Sequence, residues 1–323
     1  MQLFQKRDFG ALINDTFNFF KENGKNYFKN FILLNGLLLI FLVALYVVGY
    51  KSFFSQIFSS NLEGESFYFE QYLEENLGFF IVLAVAFVVI FFIAIMMVYT
   101  FPVLYLKRYA ESKDKDIKLN DIITDMKENF GKFILFCLGL VFVILPIIGI
   151  VMGASVLLMF VIIGIFLFFF IIPIISNVMS FTLYDYFNRK EGFFSALSYA
   201  IRSQFSYSNI NNGSPFWKYW GSTAVIMFIV QIVSGVFSMI PVFIMTGTVL
   251  TIPDADKATA MTGFYDSTMG MIYFATYGIS ILVSLLLSNI MYVNAGLMYY
   301  DSRLDLHRNE DLLEIDSIGK HEI

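Results

Sequence analysis

Between Lys132 and Asp185 the chain runs for 52 residues without one charged side chain. As a single helix this stretch would be about 78 Å long at 1.5 Å per residue. That is more than twice the ~30 Å hydrocarbon core of a bilayer. The stretch must therefore fold back on itself, and Gly153-Ala154-Ser155 offers a turn. Four further charge-free windows, Phe31–Tyr50, Asn76–Leu106, Tyr219–Pro253 and Ser267–Tyr300, are each of single-helix length. The predicted spans are thus about 31–50, 78–104, 132–151, 156–183, 219–248 and 269–299. Closed strands, the other structure that crosses lipid, would show short alternating segments, whereas these runs are continuously apolar. Composition agrees: the chain is 58% hydrophobic and 15% charged, against roughly 45–50% and 25% in soluble domains. The expected class is an all-α integral membrane helical bundle of six transmembrane helices.

Charge sets an orientation, because basic residues collect in cytoplasmic loops. With the N-terminus inside, nineteen of the 21 Lys and Arg lie on the inner side, and only Lys51 and Lys257 lie outside. Both termini are then cytoplasmic. The opening Met1–Gly10 lacks the apolar core and cleavage site of a signal peptide, so the first apolar helix serves as the insertion signal. The outer segment Phe53–Leu77 mixes Glu with aromatics and is expected to lie on the outer surface with Phe67, Phe69 and Tyr72 downward. A net charge of −5 gives no reason to expect nucleic acid.

A pattern recurs three times. Phe9, Leu12, Ile13, Phe17 and Phe20 form a helical apolar stripe, as do Leu119, Ile122, Ile123, Met126 and Phe130, and again Phe194, Leu197, Ile201 and Phe205. Polar residues fill the other faces, which predicts amphipathic helices lying at the interface ahead of each hairpin. A lysine among aromatics follows each stripe: Lys29, Lys132 and Lys218. Each hairpin then closes on Tyr-x-x-Arg: Tyr105 and Arg108, Tyr186 and Arg189, Tyr300 and Arg303. Tyr favours the headgroup layer and Lys and Arg snorkel to it, so these nine residues read as membrane anchors or as lipid-headgroup contacts. The repeat-like units run about 8–110, 118–190 and 192–303 within one membrane domain, 1–305. A cytoplasmic tail, 306–323, follows, with Glu310–Asp316 as a docking helix or a solvated end.

No charge sits in the middle of a span. Asp185, at the inner end of the fourth, is expected to pair with Arg189 one turn on. The amides Asn177, Gln231, Asn289 and Asn294 either bond helix to helix or line a polar path enclosed by the third to sixth helices. Pro146, Pro173 and Pro241 are expected to kink their spans. The single cysteine, Cys137, reads as a small core residue, and the only histidines, His307 and His321, stand in the tail. No catalytic constellation, metal site or cofactor motif is expected.

The opening Arg7–Lys25, followed by Tyr27-Phe-Lys-Asn-Phe31 and an apolar helix, resembles bacterial inner-membrane proteins of the glycerophosphoryl diester phosphodiesterase membrane-domain-like type. The resemblance implies the membrane part alone. The phosphodiesterase of full-length relatives is a separate soluble barrel, and the tail is too short to hold it, so no catalytic residue is carried over. The expectation is a non-enzymatic inner-membrane scaffold or accessory subunit in envelope or lipid-related processes. Its partners would be membrane lipids and other membrane proteins. The alternative is a transporter or lipid-handling channel.

Overall fold

Among the described residues each apolar window is mainly helical. The computed structural model describes residues 1–63, 74, 77–112, 116–189, 191–205, 215–250, 264 and 267–304, and among these there is no strand. The outer aromatics 67–72, the basic residues Lys113, Lys115, Lys190 and Lys257, and the tail with His307, His321 and Glu310–Asp316 lie outside the described residues. In chain order the helices are α1 (Phe9–Glu63), α2 (Leu77–Glu111), α3 (Leu119–Glu128), α4 (Phe130–Leu158), α5 (Ile163–Asn188), α6 (Phe193–Phe205), α7 (Phe216–Leu250) and α8 (Thr268–Ser302). All but α3 and α6 are long and apolar enough to cross a membrane. The protein is a multi-pass, all-α membrane protein whose spans follow one another as three hairpins.

Two details differ from the sequence expectation. The first amphipathic segment is not a separate element but the start of α1. Asp8 caps that helix, its Oδ1 accepting from the Ala11 N–H at 2.7 Å, and no proline interrupts it afterwards. The turn of the long apolar window is not at Gly153-Ala154-Ser155. The helix continues through these residues because an apolar medium favours an unbroken backbone ladder, and Ser155 bonds back to the Val151 carbonyl at 2.9 Å. It breaks at a short 3-10 turn, Met159–Val161, followed by Ile162 at φ 67°. Such a positive-φ conformation costs a non-glycine residue roughly 1–3 kcal/mol. The glycine this turn needs is Gly164, where a Cβ would overlap the backbone of Met159 and Ser155. A π turn at Leu140–Ile144 precedes Pro146, which has no N–H to offer the Phe142 carbonyl.

Contacts divide the chain into two units that cut across the three consecutive hairpins. One unit is Met1–Phe31, Val98–Ile229 and Asn289–Ile323, and the other is Ile32–Met97 and Val230–Ser288. Within the second, Phe264, Tyr273 and Phe274 pack with Val47, Ile244 and Met245, and Gly278 lets α8 approach Val43. Within the first, Tyr27 meets Phe101 and Tyr105 edge to face, and Tyr184 stacks on Tyr299 with ring centroids 5.6 Å apart. These rings are fully buried.

The amphipathic helices bury an unexpected face. On α6 the buried residues are Ala196, Ala200 and Gln204, while Phe194, Ile201 and Phe205 of the apolar stripe are exposed. On the first turns of α1 the buried residues are Leu12, Thr16 and Phe19, while Phe9 and Phe17 are exposed. Small residues likewise set the closest helix approach. A Cβ on Gly296 of α8 would overlap Leu106 and Tyr184. Gly296→Ala should therefore cost about 1–3 kcal/mol of stability, read as a lower melting temperature in detergent. Gly149→Ala, where a Cβ meets nothing within 4 Å, should leave it unchanged or slightly raised.

Candidate functional site

The polar side chains of the first unit gather where its helices end. Asp301, on the last turn of α8, is buried and accepts three hydrogen bonds of 2.6 Å. The donors are the backbone N–H of Arg7, Nζ of Lys218 and the hydroxyl of Tyr219. Lys218 also donates to the Arg7 carbonyl at 2.9 Å. Arg7 is itself buried, and its guanidinium organises the residues before α1. Nε donates to Asp15 at 2.8 Å, and the two terminal nitrogens donate to the carbonyls of Leu3 and Gln2 at 2.7 Å. Five fixed donors on one plane make arginine suited to tie an extended strap in this way.

Asp185, buried on α5, is the second centre. It pairs with Arg189 one turn on at 3.5 Å, as the sequence spacing predicts, and with Arg303 at the end of α8 at 3.6 Å. The Tyr299 hydroxyl donates to it at 3.2 Å. Arg303 also lies over the ring of Tyr199 on α6, 4.2 Å from its centroid. A buried carboxylate is tolerated only when such partners replace the water it has lost.

The nine anchor residues differ in what they touch. Tyr105, Tyr186 and Tyr300 are buried inside the protein. Tyr105 donates to Asn26 at 2.8 Å, and Tyr300 donates to Asn188 at 3.3 Å. Arg108 makes a bidentate pair with Asp125 on α3, both bonds 2.6 Å. Lys132 donates to the carbonyls of Tyr186 and Arg189 at 3.3 and 3.0 Å, so the start of α4 meets the end of α5. Arg189 pairs in addition with Glu191. A cation among the last carbonyls of a helix meets the negative end of its dipole. In the third hairpin Lys218 meets Asp301 in the equivalent place. Lys29 has no such role and is exposed.

The four amides of the expected path have separate surroundings. Asn177 Oδ1 accepts from Thr223 at 2.6 Å, and Asn294 donates to the neighbouring Ser222 at 3.0 Å and to Thr16 at 2.9 Å. The structure thus brings Asn177 and Asn294 to adjacent residues of α7. Asn289 accepts instead from Tyr27 at 2.9 Å. Gln231 is exposed and belongs to the second unit.

Sequence reasoning missed Asp301, Arg7 and Asp125. One signal could have found the first: a lone carboxylate directly after a long charge-free window needs compensation. Arg7 and Asp125 carry no comparable mark. Among the described residues no group of three or more His, Cys, Asp or Glu is placed to hold a metal ion, and Cys137 is half-buried. No family model, curated protein or solved structure matches the chain.

The arrangement assigns different weights to the three lysines. Asp301→Ala strands a mostly buried ammonium and should cost about 3–5 kcal/mol, measured by thermal unfolding in detergent. Adding Lys218→Met should recover part of that loss. Lys29→Ala, at an exposed position, should stay within about 0.5 kcal/mol of the parent.

Proposed function

We propose that the protein is a non-catalytic scaffold or accessory subunit of a bacterial inner membrane, with both termini cytoplasmic, that acts in envelope or lipid-related processes. One observation carries this reading. Asp185, Asp301, Arg108 and Lys218 at the helix ends are paired with other side chains of the protein, whereas Phe194, Ile201 and Phe205 of α6 and Phe9 and Phe17 of α1 stay exposed. Catalysis and coupled transport need polar groups left to meet a substrate. Asp185, Asp301, Arg108 and Lys218 instead hold helices to each other. The exposed stripes suit acyl chains or the apolar surface of another membrane protein. Membrane lipids and other membrane proteins are the partners in this reading.

Two measurements test it. Extracted in native nanodiscs, the chain should return repeatedly with one membrane protein or with an enriched lipid class. Recovery alone, with lipid in bulk proportions, overturns the scaffold. For the orientation, single cysteines replacing Ser60 and Ser112 in a Cys137→Ser background should behave oppositely. The first should react with an impermeant maleimide in intact cells and the second only after permeabilisation. Reaction of both from outside refutes cytoplasmic termini.

A further inference from the structure

The turn between α4 and α5 has a composition unlike that of a loop in water. The twenty residues from Val156 to Ile175 contain no charged, amide or hydroxyl side chain. At the turn, Leu157, Phe160, Ile162 and Phe166 are 67–91% exposed. A water-facing turn with positive φ calls for Gly or Asn, yet position 162 is a β-branched isoleucine.

We propose that this turn ends inside the membrane, its apolar tip immersed in the acyl chains at the margin of one leaflet rather than in water. The inference rests on the reading of the chain as a multi-pass membrane protein and deepens it by assigning the tip a lipid partner.

Length supports this. Helices α2, α7 and α8 have 35 residues each, while α4 has 29 and α5 has 26. From the charged level at Asp185 to the start of α5 at Ile163 is about 33 Å of helix. At an ordinary tilt of ~20°, about 31 Å of this lies along the membrane normal. The hydrocarbon core is ~30 Å thick, and the headgroup layers add roughly 5–8 Å on each side. The turn therefore reaches the far edge of the hydrocarbon and stops short of water.

Part of the turn's backbone meets the demand of that position. A turn in lipid must satisfy its own polar groups. Here the Ile162 N–H donates to the Met159 carbonyl at 2.9 Å, and the Ile165 N–H donates to the Ile162 carbonyl at 3.1 Å. Gly164 packs directly on the last turn of α4. The bare tip side chains then find in lipid the solvent that water would not provide.

A nitroxide at position 160 tests the proposal. In a Cys137→Ser background, Phe160→Cys and Phe142→Cys are labelled separately, and the full chain is reconstituted in phosphatidylcholine–phosphatidylglycerol liposomes. Power saturation then compares collisions with oxygen, which partitions into acyl chains, and with a water-soluble nickel chelate. The label at 160 should favour oxygen several-fold. Preference for the chelate places the tip in water and overturns the proposal. Shielding from both reagents means that protein, such as a second copy, covers the tip, and overturns it equally. The label at 142, on the exposed middle of α4, separates the two levels. Oxygen preference there with chelate preference at 160 refutes only the tip. Chelate preference at both refutes the membrane span itself. As a second readout, Phe160→Asp should lower the amount of membrane-inserted protein several-fold relative to Phe160→Leu. Equal amounts overturn the proposal.

Discussion

Asp301 is the point on which the first unit depends. A carboxylate removed from water loses several kcal/mol of hydration, and this one recovers it from three donors on two distant segments. Lys218 and Tyr219 bring the start of α7, and the Arg7 amide brings the strap ahead of α1. Each donor is tied elsewhere too: Lys218 to the Arg7 carbonyl, and the Arg7 side chain to Asp15 and the carbonyls of Leu3 and Gln2. The carboxylate thus fixes the chain's first residues, the entry of the fifth span and the exit of the sixth at one place. Asp185 does the same for α5 and α8 through Arg189 and Arg303.

Above these ends, the helices associate by the rules of an apolar solvent. Burying a leucine between two helices gains little when lipid would have covered it as well, so close packing and interhelical hydrogen bonds decide. Gly296 admits Leu106 and Tyr184, Gly139 admits the ring of Phe193, and Thr223 with Ser222 reaches Asn177 and Asn294. Many large apolar side chains face outward: Phe142, Phe160, Phe166, Phe194 and Phe228 are all mainly exposed. Helix α6 follows the same rule, since it turns Ala196 and Ala200 inward and Phe194 and Phe205 out.

This inversion explains what could be read from the sequence. The six spans, their pairing and the amphipathic segments were legible because charge-free length and helical period depend on residue type alone. The Asp185–Arg189 pair was legible because i, i+4 spacing places both on one helix face. The turn at Met159–Ile162 was not. Glycine and serine mark turns in water, but Gly153 and Ser155 sit comfortably in a helix whose surroundings offer its backbone no other partner. The tyrosines of Tyr-x-x-Arg illustrate a second limit. Their chemistry suits a headgroup layer, yet the same hydroxyls serve between helices, and only the fold decides that Tyr105 meets Asn26 and Tyr300 meets Asn188. Arg7 lies 294 residues from Asp301, and no local pattern announces a pairing at that distance.

The α4–α5 hairpin shows how an exposed apolar element can still be held firmly. Pro173 cannot donate to the carbonyl one turn back and loosens the backbone ladder around it. The Trp220 indole on α7 donates to the Phe170 carbonyl at 2.8 Å within that weakened turn, and three residues further along α7 Thr223 donates to Asn177. At the helix ends Lys132 closes α4 onto α5, and Asp185 holds α5 to α8 through Arg303. The hairpin's polar attachments are therefore concentrated on α5 and on the charged level, and beside them Phe136 and Gly139 of α4 pack on Phe193 and Phe170 of α5 packs on Trp220. The outer faces of α4 and the tip contribute nothing to that hold. A surface free of structural duty can change its covering without loosening the bundle.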